Sequence, residues 1–310
     1  VERIILDVDL AMGAPGSDID DGFALALALA DPDITVDLVT TVNGNTDVET
    51  VTVLTLELLH RLRRSDIPVH RGAQVPLIRP QARFGTIPDD VEVRDPQPTP
   101  AAVAMVDHVL AHPGEITLVA VGPLTNVALA MRLNPSFARA LKRLVIMGGV
   151  FDRSTNKADR PGEFNVWNDP EAAHVVLTSG IAAWWVGLDV TVLVRLTRRR
   201  ALEMQESASP FESFAGRYTV AWIDHRMKLG LETDASCAMH DPVAVASVTH
   251  PELLAWTDAY VQVETGDRMQ GAMLADYNID QADRAINAHV AREVNAASVS
   301  NFFQTRLKEM

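Results

Sequence analysis

"ILDVDLAMGAPGSDIDDGFALALALAD", residues 5–31, ends in Asp31 and crowds five further aspartates (Asp7, Asp9, Asp18, Asp20 and Asp21) around a Gly/Pro loop. An apolar run precedes them and an alanine-rich stretch follows. "RIILDV" (3–8) reads as a strand buried on both faces, and Asp20–Ala30 as a helix. No lysine or arginine lies between Asp7 and Asp31. Crowded carboxylates stay ionised only if a proton or a cation stands between them. A hard divalent cation, Ca²⁺ or Mg²⁺, with its preference for oxygen donors, is the economical solution. Softer metals would want histidine or cysteine nearby. A plainer reading is that Asp18 or Asp20 caps the helix, where negative side chains are favoured. This stretch alone leaves both open.

Strand and helix patterns then alternate. "ITVDLVTTV" (34–42), "ITLVAV" (116–121), "RLVIM" (143–147) and "AAWWVGLDV" (182–190) read as strands. Helical patterns cover Thr46–Arg64, Leu124–Leu133 and the stretch after Asp169, which serves as N-cap with Pro170 at the first turn and Gly180 at the close. In the last third, Pro210–Leu229, His240–His250 and Ala296–Glu309 read as helices, and Ala255–Glu264 and Ala285–Glu293 as strands. No linker or repeat divides the chain. The expectation is a single α/β domain over 1–310, with a mostly parallel, Rossmann-like sheet flanked by helices.

Open parallel sheets bind ligands beyond the carboxyl ends of their strands. Those ends carry Asp7 and Asp9; Asn43, Asn45 and Asp47; Thr125 and Asn126; and Gly148 and Gly149. Four such ends in series point to a built site along one edge.

The 310 residues are 47% hydrophobic and 22% charged, enough for a sizeable core. A net charge of −14 argues against nucleic acid or an anionic membrane as partner. The single cysteine, Cys237, excludes an intrachain disulfide or cysteine zinc site. It fits a reducing compartment, and the sequence from Val1 shows no signal-peptide pattern, so a cytoplasmic protein is expected. The longest apolar stretches are too short to span a bilayer.

Five segments, in order, resemble the nucleoside hydrolases of the inosine–uridine-preferring type. They are "IILDVD…DIDDGFALALAL", "TTVNGNTDVETVT", "VAVGPLTNVALAMRLNP" with "LVIMGG", "GEFNVWNDPEAAHVVL" and "MHDPVAVA". The resemblance implies a Ca²⁺-dependent enzyme, usually dimeric or tetrameric, that cleaves the N-glycosidic bond of ribonucleosides to free base and ribose. It implies that Asp9, Asp21, the Thr125 carbonyl and Asp241 hold the ion. Asp9 would take a proton from a water on the metal, with Asn45 beside water and ribose. Asp20 and Asn165 would bind the 2′- and 3′-hydroxyls and Glu163 the 5′-hydroxyl. His240 would help the base depart, and Asp7 would support the site from beneath. Such cleavage passes through an oxocarbenium-like sugar, which nearby carboxylates stabilise.

The sequence departs from the family pattern in places. Ten residues, Leu10–Ile19, separate Asp9 from Asp20, where the family has three. Lys157 stands where some members have an asparagine for the 5′-hydroxyl, with Asn156 beside it as a substitute. Phe84 falls in the region where some pyrimidine-preferring members carry a second histidine. Trp222 and His225 could cover the base or simply pack in the core.

Each residue also has a bland role. His240 could be a helix-end histidine, Asp241 an N-cap, and Glu163 and Asn165 turn caps. Asp189 reads as structural and Thr197–Arg200 as a solvated helix start. Two rival functions remain. One is a haloacid-dehalogenase-type Mg²⁺ phosphatase with Asp7 as nucleophile and Asp9 as acid/base, though Leu10 replaces the expected small polar turn. The other is a non-catalytic nucleoside- or ribose-binding protein.

Overall fold

The computed structural model describes residues 1–14, 16–79, 83–155, 157–278 and 285–308. The first strand, β1 (Glu2–Val8), is an interior strand, third from one edge of a nine-stranded sheet. On one side of it lie β2 (Ile34–Thr41) and β3 (Val69–Arg71). On the other come β4 (Ile116–Ala120), β5 (Arg143–Met147) and β6 (Ala183–Val186). All these neighbours pair in parallel. A two-stranded ribbon, β7 (Arg195–Thr197) with β8 (Ser236–Ala238), stands apart. Antiparallel β9 (Leu254–Val263) and β10 (Met273–Asp276) form the far edge, joined to β6 through β11 (Ala288–Val294).

Helices connect the strands, and the alternation of β1 sorts them into two layers. Ile4, Leu6 and Val8 face one apolar cluster and Ile5 the other. The first layer includes α1 (Asp20–Ala30), α2 (Val48–Arg61), α10 (Pro210–Lys228), α11 (His240–Thr249) and α12 (Ala296–Lys308). The second includes α3 (Ala101–Ala111), α4 (Thr125–Leu133), α5 (Phe137–Ala140) and α7 (Pro170–Leu177). Three further helices are α6 (Phe164–Asn168), after the loop that leaves β5, and α8 (Leu188–Thr191) and α9 (Arg198–Gln205), which start just beyond β6 and β7. Among the described residues no helix is long and apolar enough to cross a membrane.

The strand order makes β1 and β4 the switch point. From β1 the chain winds outward to β3, then crosses back to β4 and winds the other way. The connections leave opposite sides, so a crevice opens between the carboxyl ends of β1 and β4. The four polar strand ends belong to β2, β1, β4 and β5, which are adjacent.

The expected α1 matches its observed bounds, while α2 is shorter at both ends than Thr46–Arg64. The stretch 182–190 is corrected: its strand stops at Val186 and α8 begins at Leu188. Asp189 is structural, accepting hydrogen bonds from the backbone N–H groups of Phe151, Asp152 and Arg153. Thr197 caps α9 by accepting from the Arg200 N–H, and Asp169 caps α7 in the same way from Ala172.

The described residues of the lengthened Leu10–Ile19 segment pack into the protein. Leu10, Ala11, Met12 and Ala14 are buried. A Cβ on Gly22 would lie 2.6 Å from the Met12 Sδ, so the absence of a side chain in α1 lets the insertion lie directly on the helix. Gly13 and Gly16 turn the chain at φ of +114° and +74°, conformations that side chains other than glycine resist.

Nine of the eleven residues of α1 are buried. Phe23 anchors it edge-to-face between Phe211 of α10 (5.7 Å) and Phe303 of α12 (6.4 Å). Phe23→Ala should therefore destabilise the protein by about 3–5 kcal/mol, read from urea unfolding. A loss below about 1 kcal/mol would show that α1 is held elsewhere.

Candidate active site

At the end of β1, Asp9 is 1% exposed. Its Oδ2 accepts from the Asn45 backbone N–H at 2.7 Å. Its own N–H donates to Asp21 Oδ1 at 3.1 Å. The Asn45 side-chain amide donates to Asp21 Oδ2 at 3.0 Å, so Asn45 ties together carboxylates from two elements. The walls around Asp9 are glycines. A Cβ on Gly44 would stand 2.0 Å from Asp9 Oδ2, and one on Gly122 would stand 2.8 Å from Oδ1.

Next to Asp9, α1 and α11 bring Asp20, Asp21 and Asp241 together. One carboxylate oxygen from each lies within 4.8 Å of the others, and all three residues are buried. Asp20 does cap a helix, but a distant one: its Oδ2 accepts from the N–H groups of His240 (2.9 Å) and Asp241 (3.3 Å) at the start of α11. Asp241 lies inside the first turn of α11 and is not its N-cap. Asp18 accepts from the Ile19 N–H and neighbours Asp20 and His240. Thr125 opens α4, and its hydroxyl donates to Asp169 at 2.6 Å. Asp7 is fully buried, accepting at Oδ1 from Thr40 (2.6 Å) and the Asn126 amide (2.8 Å).

Burial makes this cluster reluctant to ionise. It pushes Asp9 up to about 7, against the hydrogen bond from Asn45. It pushes Asp7 up to about 7 as well. Asp21 and Asp241 are raised well above the usual carboxylate range, by burial first and then by the neighbouring aspartates. Every donor here is oxygen, which suits a hard cation rather than zinc or copper.

The cluster opens on a cavity of about 430 Å³ lined by Asp9, Asp18, Asp20, Asn45, Glu163, Asn165, Trp222, His240 and Asp241. Neither Asp7 nor Thr125 lies among its lining side chains. Glu163 is the N-cap of α6. Its Oε1 accepts from the Asn165 N–H (2.8 Å), and its Oε2 from those of Gly149 and Val166 (both 3.1 Å). The Asn165 amide donates to the Val121 carbonyl at the end of β4 (2.7 Å). His240 bonds through Nδ1 to the Thr191 hydroxyl at 2.8 Å. Burial holds its imidazole below the usual value, countered by Asp18. Trp222 stacks on His225 with ring centres 6.0 Å apart. Asn156 lies outside the described residues, whereas Lys157 lines the cavity. Sequence reasoning missed Arg83, Arg160 and Thr155, which line the cavity from loops without periodicity, and Thr191 behind His240.

The doubly wound sheet thus carries, at its switch point, a buried, oxygen-only acidic cluster that could hold a cation. The family model for "Inosine-uridine preferring nucleoside hydrolase" matches residues 4–301. A "Probable uridine nucleosidase 2" of Oryza sativa subsp. japonica is 34% identical over 293 residues, covering 90% of this chain and 83% of the relative. A "Non-specific ribonucleoside hydrolase RihC" of Salmonella typhi is 35% identical over 299 residues, covering 93% and 92%. The solved "Plant nucleoside hydrolase - PpNRh1 enzyme" superposes with a TM-score of 0.89 at 27% identity, covering 100% of this chain and 99% of that one. The chain belongs to the inosine-uridine preferring nucleoside hydrolase family and is a ribonucleoside hydrolase.

Two outcomes follow from this geometry. Gly44→Ala forces the Asp9 carboxylate to move, and a displacement of about 1 Å can cost on the order of 100-fold in rate. Nucleoside hydrolysis should fall by that order with an unchanged circular dichroism spectrum; near-normal activity would mean that the position of Asp9 is not critical.

The second concerns pH. An aspartate near 3.8 when unfolded and near 7 when folded, as for Asp9, binds more protons in the folded state between those values. Metal-free stability should therefore drop as pH rises from about 4 to 7. A cation at the cluster favours the charged carboxylates. Added CaCl₂ or MgCl₂ should thus raise Tm more at pH 8 than at pH 5. An equal rise at both would place the cation elsewhere.

Proposed function

We propose that the cavity hydrolyses ribonucleosides to free base and ribose with Ca²⁺ held by Asp9, Asp21, the Thr125 carbonyl and Asp241. The observation that carries this reading is the oxygen cluster beside Asp9. Its buried carboxylates lie within one ion's reach of each other, and burial penalises their charges. Asp20 belongs to the same cluster. Bound there, the cation supplies Lewis acidity and offsets the carboxylate charge.

The protein's own groups do the rest. Asp9, fixed through Oδ2 by Asn45, accepts the proton of the attacking water. Asp20 and Asn165 hold the 2′- and 3′-hydroxyls and Glu163 the 5′-hydroxyl, orienting the anomeric carbon toward that water. As the C1′–N bond lengthens, positive charge grows on the ribose and the surrounding carboxylates stabilise it. Thr191 engages His240 at Nδ1, leaving Nε2 as the nitrogen that serves the departing base. Trp222 covers the base. The resemblance further supports a homodimer or homotetramer.

The phosphatase alternative loses its nucleophile, because Asp7 is sealed beneath the sheet edge between Thr40 and Asn126. The test is incubation with inosine and uridine in CaCl₂, reading released reducing sugar. Chelation should abolish release, and Asp9→Asn should lower it by about 10²–10⁴-fold while nucleoside binding persists. Nucleoside binding without base release across a broad panel would favour the binding protein instead. Phosphate release from a phosphomonoester, lost in Asp7→Asn, would favour the phosphatase.

A further inference from the structure

The end of the cavity assigned to the ribose 5′ position also carries cations. Lys157 and Arg160, from the loop between β5 and α6, line it, as does Arg83 from the loop after β3. The guanidinium carbons of Arg83 and Arg160 lie 5.1 and 5.5 Å from the centre of the Phe164 ring, next to Glu163. All three residues are half-buried. Burial, with Arg160 and Arg226 nearby, holds the Lys157 ammonium below its ordinary value, against the opposing pull of Asp159 and Glu232. Burial and Arg160 lower Arg83 in the same way, while Asp9 opposes the shift.

The pairing of these cations is uneven. On the wall by Trp222, Arg195 and Arg226 both reach Glu232, at 2.8 and 3.1 Å. Among the described residues, neither the Lys157 ammonium nor the Arg160 guanidinium makes an ion pair. The carboxylate beside them, Glu163, already accepts three backbone N–H groups. Unpaired lysines are ordinary on an open surface. Here, half-buried cations that repel one another are gathered along a substrate cavity, an arrangement that an anion between them stabilises.

We propose that this wall receives a phosphate on the 5′ oxygen of the ribose, so that ribonucleoside 5′-monophosphates are substrates, cleaved to free base and ribose 5-phosphate. This rests on the hydrolase reading above and uses the same chemistry. The C1′–N bond breaks and a C1′–O bond forms from water. One proton of that water passes to Asp9, the base departs with its electron pair and takes up a proton, and the phosphate ester stays intact. Arg160 offers a planar fork to two phosphate oxygens and Lys157 a point charge.

The test pairs inosine with inosine 5′-monophosphate, and uridine with uridine 5′-monophosphate, on the full chain in CaCl₂. Free base and ribose or ribose 5-phosphate are resolved by chromatography. The expected kcat/KM for each monophosphate is at least that of its nucleoside. Lys157→Gln and Arg160→Gln should each lower the monophosphate-to-nucleoside ratio about tenfold, and Lys157→Arg should retain it. Ribose 5-phosphate should raise Tm more than ribose does, a difference lost in Lys157→Gln. If nucleosides are cleaved while monophosphates are poorer substrates and ribose 5-phosphate gives no added stabilisation, the inference is overturned and the hydrolase reading stands. A preference for xanthosine or orotidine that disappears in Lys157→Gln would assign the cations to an anionic base, which overturns it equally. If no base is released from any of these compounds, the hydrolase reading fails and takes this inference with it.

Discussion

Buried negative charge is the constraint around which this molecule is arranged. Asp9, Asp20, Asp21 and Asp241 share one small volume, and none is exposed enough for water to relieve the repulsion. What holds them there is donated by backbone and amide groups. Asn45 bridges Asp9 and Asp21, and the start of α11 is capped by Asp20. Each restraint joins segments far apart in the chain. The acidic centre therefore exists only when the sheet, α1 and α11 are assembled, and the arrangement favours an added cation over any rearrangement of the protein.

That dependence explains why the packing near the site is so exact. Met12 lies against a helix residue without a side chain, and Gly44 and Gly122 let two loops close directly on Asp9. Phe23 holds α1 down from its other side. The segment before α1 thus leaves Asp20 and Asp21 at the start of the helix while its own Leu10 and Met12 are buried in the core.

Much of this was legible in the sequence. Apolar strands ending in aspartate, asparagine, threonine or glycine gave the sheet and its functional edge, because strand and helix periodicity are local signals. The bounds of α1 and the caps at Asp169 and Thr197 follow from near-neighbour chemistry. Contacts without a local signature were not legible. Nothing near Asp20 announces that it caps a helix more than two hundred residues away. Nothing in "GLDVT" separates a strand end from the helical turn that brings Thr191 to His240. The cavity's cationic wall comes from loops whose path is set by tertiary packing, so Arg83 and Arg160 escaped notice. Short β7 and β8 and the edge strand β10 carry too few residues for a periodic pattern.

The placement of β11 has a consequence for biogenesis. This strand comes after β9 and β10 in the chain yet lies between β6 and β9. While the polypeptide is emerging from the ribosome, the hydrogen-bonding flank of β6 has no partner until roughly a hundred further residues have been translated. An open flank on a hydrophobic sheet invites pairing with other nascent chains. The half-made protein is therefore most vulnerable to aggregation just before its last strand arrives, and insertion of that strand closes the sheet.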